Sequence, residues 1–198
     1  EIAAGAQWNP GETSDTAKSG AVFYLIPPAD RTQKWTPVQL KHEPTTHRMR
    51  WFATPTGKFD LVVLPLHGRG NKGGKGDGVR TLAYHKPSDA EAKWSTTVID
   101  DRMHTSHNFE VAQWDKDAAN EMLLGGLEGV FLLNPAIRGG WTRQQISNNP
   151  TGEVRQGAGA RGEKFIAAIE PMHGNQLSIY TAAKGKKLWD RNVIDDSL

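Results

Sequence analysis

Five of the seven histidines stand at positions that the sequence pattern predicts at one end of the molecule. His47 and His107 come just before short strand-like segments, and His104 lies beside His107. His67 and His173 each end a strand-like run, in the similar contexts PLHG and PMHGN. Imidazole binds metal ions and transfers protons near neutral pH. The group therefore predicts a shared site, such as a site for Zn²⁺ or another divalent cation, or else the capping of strand ends at a channel mouth.

Three further side chains near these histidines could contact a ligand. Trp8 ends a strand-like run as His67 and His173 do, where an indole could stack on a sugar ring or simply pack. Arg69 and Lys72 lie in the glycine-rich stretch HGRGNKGGKGDG and could contact an anionic or hydroxyl-rich ligand. This stretch lacks the GxxxxGK[ST] pattern of a phosphate-binding loop and does not open a helix. We interpret it as a flexible lid or rim loop.

The remaining acidic and histidine features are interpreted as structural. The pairs Asp100–Asp101 and Asp195–Asp196 end strands, and adjacent side chains of an extended chain point in opposite directions, so neither pair is a catalytic dyad. The segment Asp115–Glu121, DKDAANE, lacks the central glycine and the regular alternation of an EF-hand calcium loop. It is interpreted as an ordinary turn. His42 and His85 are expected on the surface.

Composition excludes several classes of function. The 198 residues include 24 basic and 22 acidic side chains, which are interspersed and argue against a nucleic-acid surface. There is no cysteine, which excludes disulfides, thiolate metal sites and cysteine nucleophiles, and leaves open whether the protein is periplasmic, extracellular or elsewhere. The longest apolar run, Ala21–Ile26, is far shorter than the roughly 20 residues of a membrane helix. Neither nucleic acid nor membrane is therefore expected as a partner.

A short segment that begins with tryptophan recurs four times along the chain. Successive tryptophans are 59, 47 and 48 residues apart, and short apolar runs separated by turn residues fill the intervals. Repeats of about 40–50 residues with four short strands are typical of β-propeller blades. In each copy an aliphatic residue follows the tryptophan by five positions; the pairs are Trp35 and Leu40, Trp94 and Ile99, Trp141 and Ile146, and Trp189 and Ile194.

The repeat predicts an all-β fold, a β-propeller of four-stranded antiparallel blades. A β-sandwich has strands at similar spacing, but the fourfold recurrence of the tryptophan favours the propeller. About four blades are present, which makes the propeller partial or open and its edge strands a predicted surface for self-association. We expect 1–198 to be a single propeller domain or a piece of one. The predicted blades span 1–42, which lacks its innermost strand, 47–101, 107–147 and 152–196.

Five stretches carry a resemblance to a known family: EIAAGAQW, HRMRW, DLVVLPLHGRGN, SHNFEVAQW and FIAAIEPMHGNQ. Over essentially the whole chain they resemble the propeller domain of FG-GAP/VCBS-type proteins related to aldos-2-ulose dehydratase. The resemblance implies a carbohydrate lyase that dehydrates oxidised or anhydro sugars, such as aldos-2-uloses and 1,5-anhydrofructose. It also implies a divalent metal, zinc in the first place, as Lewis acid, and a histidine base. The enzymes of that family carry cupin domains after a complete propeller, whereas this chain covers part of the propeller only.

The implied reaction assigns roles to the candidate residues. β-Elimination beside a carbonyl needs a base that removes the α-proton and an electrophile that stabilises the enolate. Under the resemblance, the candidates for the base are His67, His107 and His173. In the arrangement we favour, His47 and His107 would hold the metal and His67 or His173 would take the proton. Arg69 and Glu128 would orient hydroxyl groups or adjust the pKa values of these histidines. The residues expected to contact the sugar are Trp8, Lys72 and His104.

Two functions of different classes remain. The first is a metal-dependent carbohydrate lyase, or a fragment of one, acting on a small sugar. The second is a non-catalytic propeller that binds glycans or protein partners, since the fold alone does not determine function. Histidines clustered at one end favour the lyase, because a scaffold does not need them. A glycosidase is less favoured, because the sequence offers no clear pair of carboxylates.

Overall fold

The computed structural model describes residues 2–88, 92–137 and 139–198 as fifteen β-strands and one short 3-10 turn, Thr16–Lys18. The strands form four antiparallel sheets in chain order. The strands are β1 Ile2–Ala6, β2 Ala21–Ile26, β3 Thr36–Leu40, β4 Thr46–Ala53, β5 Phe59–Pro65, β6 Thr81–His85, β7 Ser95–Asp100, β8 Ser106–Ala112, β9 Glu121–Gly126, β10 Gly129–Pro135, β11 Trp141–Ser147, β12 Glu153–Ala158, β13 Lys164–Glu170, β14 Gln176–Thr181 and β15 Asp190–Asp195.

The sheets are blades of a β-propeller that does not close into a ring. The first sheet has the order β1-β2-β3, and the other three have the orders β4-β5-β6-β7, β8-β9-β10-β11 and β12-β13-β14-β15. Every neighbouring pair is antiparallel. This confirms the prediction of an all-β propeller with four-stranded antiparallel blades, of which about four are present. The first sheet has three strands in the described residues.

The inner strands of the second and third sheets are buried on both faces, because each of these two sheets lies between two others. Side chains alternate between the faces of a strand. In β5, Leu61 and Val63 pack toward the first sheet, whereas Val62 and Leu64 pack toward the third. This double burial explains why β5 reads as a continuous apolar run rather than as an alternating one.

Three apolar clusters fill the three interfaces between consecutive sheets. One joins the first and second sheets, one the second and third, and one the third and fourth. The tryptophans that mark the repeat support these interfaces at their edges. Trp94 packs near Tyr24 and Trp51, while Trp141 and Trp189 border the second and third clusters. These three tryptophans are therefore packing residues of the blades.

The aliphatic residue five positions after the tryptophan faces the following sheet. Leu40, Ile99 and Ile146 are buried in the three interfaces. Ile194 holds the same position in β15 but is 61% exposed, because no fifth sheet follows it in the described residues. Self-association through the outer faces of the first and fourth sheets stays a prediction.

Two histidines expected at the surface have specific environments. His42 is only 9% exposed, and its Nδ1 lies 2.9 Å from the carbonyl oxygen of Glu43, so the prediction of a surface position is wrong for this residue. His85 is part-exposed, with its Nδ1 3.0 Å from a carboxylate oxygen of Asp60. A helix long and apolar enough to cross a membrane is not found among the described residues.

Candidate functional site

The first residues of the innermost strands carry the candidate site. The pairing of β4 with β5 shifts register between Thr46 and Arg48, and the pairing of β8 with β9 shifts between Ser106 and Asn108. The skipped residues are His47 and His107. A β-bulge re-aims the side chain of the extra residue and increases the local twist. The two histidines therefore leave the regular alternation of their strands at the same place in consecutive blades.

Four aromatic rings follow one another across this end of the four sheets. The ring centroids of Trp8 and His47 are 4.9 Å apart, and those of His47 and His107 are 5.0 Å apart. The ring of His173 meets that of His107 edge-on, at 4.0 Å and 89°. We call these four residues the ring row. Each of the four sheets, or a turn attached to it, contributes one member.

The ring row is held by unusual backbone conformations. Four non-glycine residues of the described chain have positive φ angles, and two of them directly precede ring-row residues. They are Gln7, at φ 55° before Trp8, and Met172, at φ 48° before His173. Such conformations cost energy and persist where the surrounding structure requires them. The turn between β1 and β2 and the turn between β13 and β14 are thus shaped to present an aromatic ring.

Gly152 occupies the place in the fourth sheet that His47 and His107 occupy in theirs. A Cβ atom at Gly152 would lie 2.4 Å from the carbonyl oxygen of Met172 and 3.0 Å from Nδ1 of His173. The absence of a side chain lets the ring of His173 approach from the turn between β13 and β14. The ring row therefore continues into the fourth blade with a histidine from a different segment.

Hydrogen bonding determines which nitrogen of His107 is free. Its Nδ1 lies 2.8 Å from the carbonyl oxygen of Gly152. Because a carbonyl only accepts, Nδ1 is the protonated nitrogen and Nε2 of the neutral ring carries the lone pair. Burial lowers the pKa of His107, whereas the hydrogen bond to Gly152 raises it. The effect of burial is the larger, so the pKa of His107 is lowered. His107 is therefore a neutral imidazole near pH 7, with Nε2 available as a base.

His47 is more strongly perturbed. Burial, followed by the positive charge of Arg48 and the proximity of His107, lowers the pKa of His47 to about 4. Its Nε2 is buried and has no hydrogen-bond partner among the described residues. A buried polar nitrogen without a partner is costly, so Nε2 of His47 is a candidate contact for a ligand.

A polar layer lies beside the ring row on the same inner strands. Arg48, Asn108 and Glu153 directly follow His47, His107 and Gly152 in the chain. Asn108 donates a hydrogen bond to the Glu153 carboxylate, and Arg48 lies 3.9 Å from it. The same carboxylate lies 3.5 Å from Nδ1 of His107. Sequence reasoning missed this layer, although an alignment of THR, SHN and TGE at the strand starts indicates it.

The comparison with known proteins agrees with this architecture. The sequence profile of the aldos-2-ulose dehydratase β-propeller domain matches residues 19–183. The chain belongs to this family. Aldos-2-ulose dehydratase of Phanerodontia chrysosporium is 25% identical over 204 residues, an alignment that covers 90% of this chain and 22% of that protein. The chain thus spans less than a quarter of the length of this relative.

Two predicted site residues of this dehydratase-family propeller form a pair beside the ring row. Nδ1 of His104 lies 2.8 Å from a carboxylate oxygen of Glu128, which also accepts a hydrogen bond from the backbone N–H of His104 at 3.0 Å. Glu128 was expected to act on His67 or His173. The structure brings it to His104 instead, so Glu128 fixes a residue that was predicted to contact the sugar.

His67 lies in the rim but outside the ring contacts of the row. It forms a β-bridge with Thr105, whose hydroxyl lies 3.4 Å from Nδ1 of His67. Burial lowers the pKa of His67. His67 is thus neutral near pH 7, like His107, but its ring makes none of the aromatic contacts recorded for the described residues.

The glycine-rich loop is anchored at its base. Arg69 donates a hydrogen bond to a carboxylate oxygen of Glu43 at 2.7 Å and another to the carbonyl oxygen of Ser14 at 2.8 Å. Asn71 donates to the carbonyl oxygen of His104 at 2.8 Å. Lys72 is exposed in a small backbone hairpin at the loop tip. The loop is therefore a fixed rim with a short free tip, and Arg69 is engaged with Glu43.

The histidines do not by themselves form a complete metal site. Catalytic zinc generally has three protein ligands. Within the described residues, the group of three His, Asp or Glu side chains with ligand atoms within 4.8 Å of one another is Asp115, Asp117 and Glu121, and not the histidines. The described residues therefore do not supply the usual ligand set of catalytic zinc at His47 and His107, and metal binding there stays a prediction. The interpretation of Asp115–Glu121 as an ordinary turn missed this convergence of carboxylates.

Proposed function

We propose that this propeller is part of a carbohydrate dehydratase that eliminates water from oxidised or anhydro sugars. The observation that carries the proposal is the fixed tautomer of His107. Its Nδ1 is bound to the Gly152 carbonyl, and its pKa is lowered by burial, so a neutral Nε2 is available near pH 7. Membership of the aldos-2-ulose dehydratase propeller family supports the sugar as the class of substrate.

In this proposal His107 is the base. Nε2 of His107 removes the proton on the carbon next to the sugar's carbonyl group, and the electron pair of that C–H bond forms an enolate. The enolate then expels the β-hydroxyl group as a C=C bond forms, and the proton taken by His107 joins the leaving hydroxyl to make water. Sugar is thereby converted to an unsaturated ketone and one water, with no change in oxidation state.

The enolate requires a nearby positive charge. Arg48 is close enough to lower the pKa values of both His47 and His107, and its Nε is buried without a hydrogen-bond partner among the described residues. Its guanidinium is the electrophile that this chain itself supplies. A divalent metal, held by His47 and His107, is the alternative that the family resemblance implies. In that alternative Nε2 of His107 would hold the metal, and His67 or His173 would be the base.

Trp8 would hold the sugar ring. Its indole is 48% exposed, and its other side contacts the ring of His47. A cavity of about 510 Å³ opens between β1 and β4, and Trp8, His47 and Arg48 are in its walls. Aromatic rings bind the apolar faces of sugars while hydroxyl groups remain free for polar contacts. His173 would contact the substrate from the other end of the ring row.

The experiment is an ultraviolet assay with 1,5-anhydrofructose. The chain is expected to produce an absorbing unsaturated ketone, and His107→Gln is expected to lower the rate by about 10²–10⁴-fold, the usual contribution of a general base. His85→Gln, at the opposite end of the second sheet, is the matched control and should keep the rate. An inactive native chain, or an H107Q variant as fast as the native chain, would refute the proposal.

A second function is a glycan-binding propeller without catalysis. The exposed indole of Trp8 favours it, because a stacking platform alone is sufficient for binding. Titration with 1,5-anhydrofructose should then quench tryptophan fluorescence without any ketone product. Loss of this quenching in Trp8→Ala, with the native chain inactive in the ultraviolet assay, would support binding over catalysis.

A further inference from the structure

A cluster of carboxylates lies at the end of the third blade opposite the ring row. The turn between β8 and β9 contains Asp115, Asp117 and Glu121, and one carboxylate oxygen from each lies within 4.8 Å of the others. Asp115 and Asp117 are exposed, while Glu121 is the first residue of β9 and is fully buried. The strand β8 separates this turn from His107, so the cluster is independent of the proposed sugar site.

The buried carboxylate of Glu121 is incompletely satisfied. Its Oε2 accepts a hydrogen bond from the backbone N–H of Trp114, but its Oε1 is buried and has no hydrogen-bond partner among the described residues. Burying a carboxylate oxygen without a partner is costly unless a cation or donor compensates. Because the Glu121 carboxylate is grouped with two further carboxylates, a bound cation would compensate it. Burial, followed by the negative charges of Asp115 and Asp117, raises the pKa of Glu121, as expected for a carboxylate that has no such cation beside it.

The protein itself supplies little compensating positive charge. Lys164 is one of two ammonium groups at the turn, and its Nζ donates to the carbonyl oxygens of Gln113 and Trp114, at 2.5 Å each. It lies close enough to lower the pKa of Asp115, but its two bonds are to backbone oxygens and not to the cluster. Lys116 stands between Asp115 and Asp117 in the chain, but it is exposed, and no ion pair with the cluster is found for it among the described residues. Neither ammonium group therefore neutralises the three carboxylates by direct contact.

The remaining hydrogen bonds orient the two aspartates and still leave them able to bind an ion. Asp115 accepts from the backbone N–H of Asp117 and from the side chain of Asn134, at 3.1 and 2.9 Å. Asp117 accepts from the backbone N–H of Ala119 at 2.7 Å. A carboxylate has about four lone-pair sites, so each aspartate keeps acceptor capacity.

We propose that Asp115, Asp117 and Glu121 form a binding site for Ca²⁺. All three ligands are carboxylate oxygens, which hard divalent cations prefer, whereas zinc prefers nitrogen and sulfur. Calcium also tolerates irregular geometry and completes its shell with water, which suits two exposed ligands and one buried ligand. The ion would compensate the buried Oε1 and tie the turn to the start of β9.

Calorimetric titration of the 198-residue chain with CaCl₂ tests the site, with thermal unfolding as a second measurement. We expect saturable one-site binding and a rise in Tm of roughly 5–10 °C at 100 times Kd. Asp117→Asn should weaken binding at least about tenfold, because a neutral amide replaces a charged ligand. Glu121→Gln should also lose most of the calcium-dependent rise in Tm. It is the second test variant if D117N is poorly folded.

Glu163→Gln is the matched control, because Glu163 lies in the corresponding turn of the fourth blade and is exposed. Its contacts with Arg161 are an ion pair at 4.0 Å and a hydrogen bond from the backbone N–H at 3.1 Å. E163Q should bind calcium as the native chain does. A native chain that shows neither calorimetric binding nor a Tm response to Ca²⁺ would overturn the proposal. Equal affinity in D117N and the native chain would overturn it as well, as would saturation by MgCl₂ with no response to CaCl₂.

Discussion

The rings of His107 and His173 meet edge-on with centroids 4.0 Å apart, although they belong to different blades. Gly152 connects them through its backbone. Its carbonyl oxygen accepts from Nδ1 of His107 at 2.8 Å, and its N–H donates to the carbonyl of Met172, directly before His173, at 2.7 Å. One residue without a side chain therefore fixes both the tautomer of His107 and the position of the turn that carries His173.

Gly152→Ala is expected to separate these two rings. The new Cβ would lie within 3.0 Å of Nδ1 of His173 and 2.4 Å from the carbonyl oxygen of Met172, so the turn must move. Overpacking of this kind costs about 1–3 kcal/mol of unfolding free energy. Urea unfolding should detect this loss, and the ultraviolet assay should show a lower dehydration rate.

Gly11→Ala is the control for this substitution. A Cβ at Gly11 would have its nearest contact at 3.7 Å, an ordinary van der Waals distance. G11A should leave the urea midpoint and the rate unchanged. If G152A unfolds at the same urea concentration as the native chain, the close approach of Gly152 to the His173 turn is not required.

The unfolding free energy of the chain should fall on acidification between about pH 6.5 and pH 4. Burial, followed by the positive charge of Arg48, lowers the folded-state pKa of His47 to about 4, from the ordinary value of 6.5 that applies to the unfolded chain. Between these values the unfolded state binds more protons, so stability rises with pH across this window and is fully present above it. His67 and His107, whose pKa values burial also lowers, act in the same direction.

Urea midpoints measured at about pH 7.5, 6, 5 and 4.5 span this window and would reveal the dependence. His47→Gln should reduce the slope, because glutamine does not titrate, while His107, His173, Arg48 and Glu153 remain around the site. His85→Gln should keep the native slope. A slope as steep in H47Q as in the native chain would contradict the assignment of the pH dependence to His47.

The blade architecture could be predicted from sequence because it rests on repetition. Trp94, Trp141 and Trp189 recur at one structural position and pack at the interfaces between sheets, so their spacing reported the size of a blade. The ends of the strands could also be predicted, since turn residues mark them. The position of His107 and His173 at one end of the molecule followed from the antiparallel order of the strands.

Contacts between blades could not be read from the sequence. The partner of Glu128 is His104, rather than a histidine at an equivalent turn, because the connection between blades folds back onto the rim. Likewise, the burial of His42 depends on packing against its surroundings rather than on its own segment. The carboxylates of Asp115–Glu121 converge through side-chain geometry, which departs from the ligand alternation of an EF-hand loop.

Glu43→Gln is expected to release the glycine-rich rim loop. The carboxylate of Glu43 is bound by Arg69 at 2.7 Å and by Arg80 at 2.6 Å, and only 11% of its side chain is exposed. A neutral amide cannot form ion pairs with the two guanidinium groups. Both arginines are partly exposed, so the loss of stability should be small, about 1 kcal/mol.

Limited trypsin digestion is the sensitive measurement, because the loop contains Arg69, Lys72 and Lys75. E43Q should be cleaved in this loop several times faster than the native chain. Asp190→Asn, which removes an exposed ion pair with Lys186 in the fourth sheet, is the control and should be cleaved there at the native rate. Unchanged cleavage in E43Q would mean that the remaining bonds, such as that of Asn71 to His104, suffice to hold the loop.

Zinc binding at the ring row predicts a stoichiometric metal content that depends on His47 and His107. Their rings are 5.0 Å apart, His47 Nε2 has no partner among the described residues, and His107 Nε2 is left free by the bond of Nδ1 to Gly152. Two imidazoles are fewer ligands than zinc usually takes, so we expect weak binding that dialysis against a chelator removes.

Elemental analysis after dialysis against ZnCl₂ should give about one zinc in the native chain and none in the double variant His47→Gln, His107→Gln. His42→Gln, a substitution in the connection before β4 and outside the ring row, is the matched control and should retain the metal.

The dehydration rate distinguishes the two candidate electrophiles, the guanidinium of Arg48 and the metal. A rate that persists after removal of zinc and falls in Arg48→Met identifies the guanidinium as the group that stabilises the enolate, because methionine keeps the length of the side chain without its charge. A rate that disappears with zinc and returns on its addition identifies the metal instead, and it would also overturn His107 as the base, because Nε2 of His107 would then be a metal ligand.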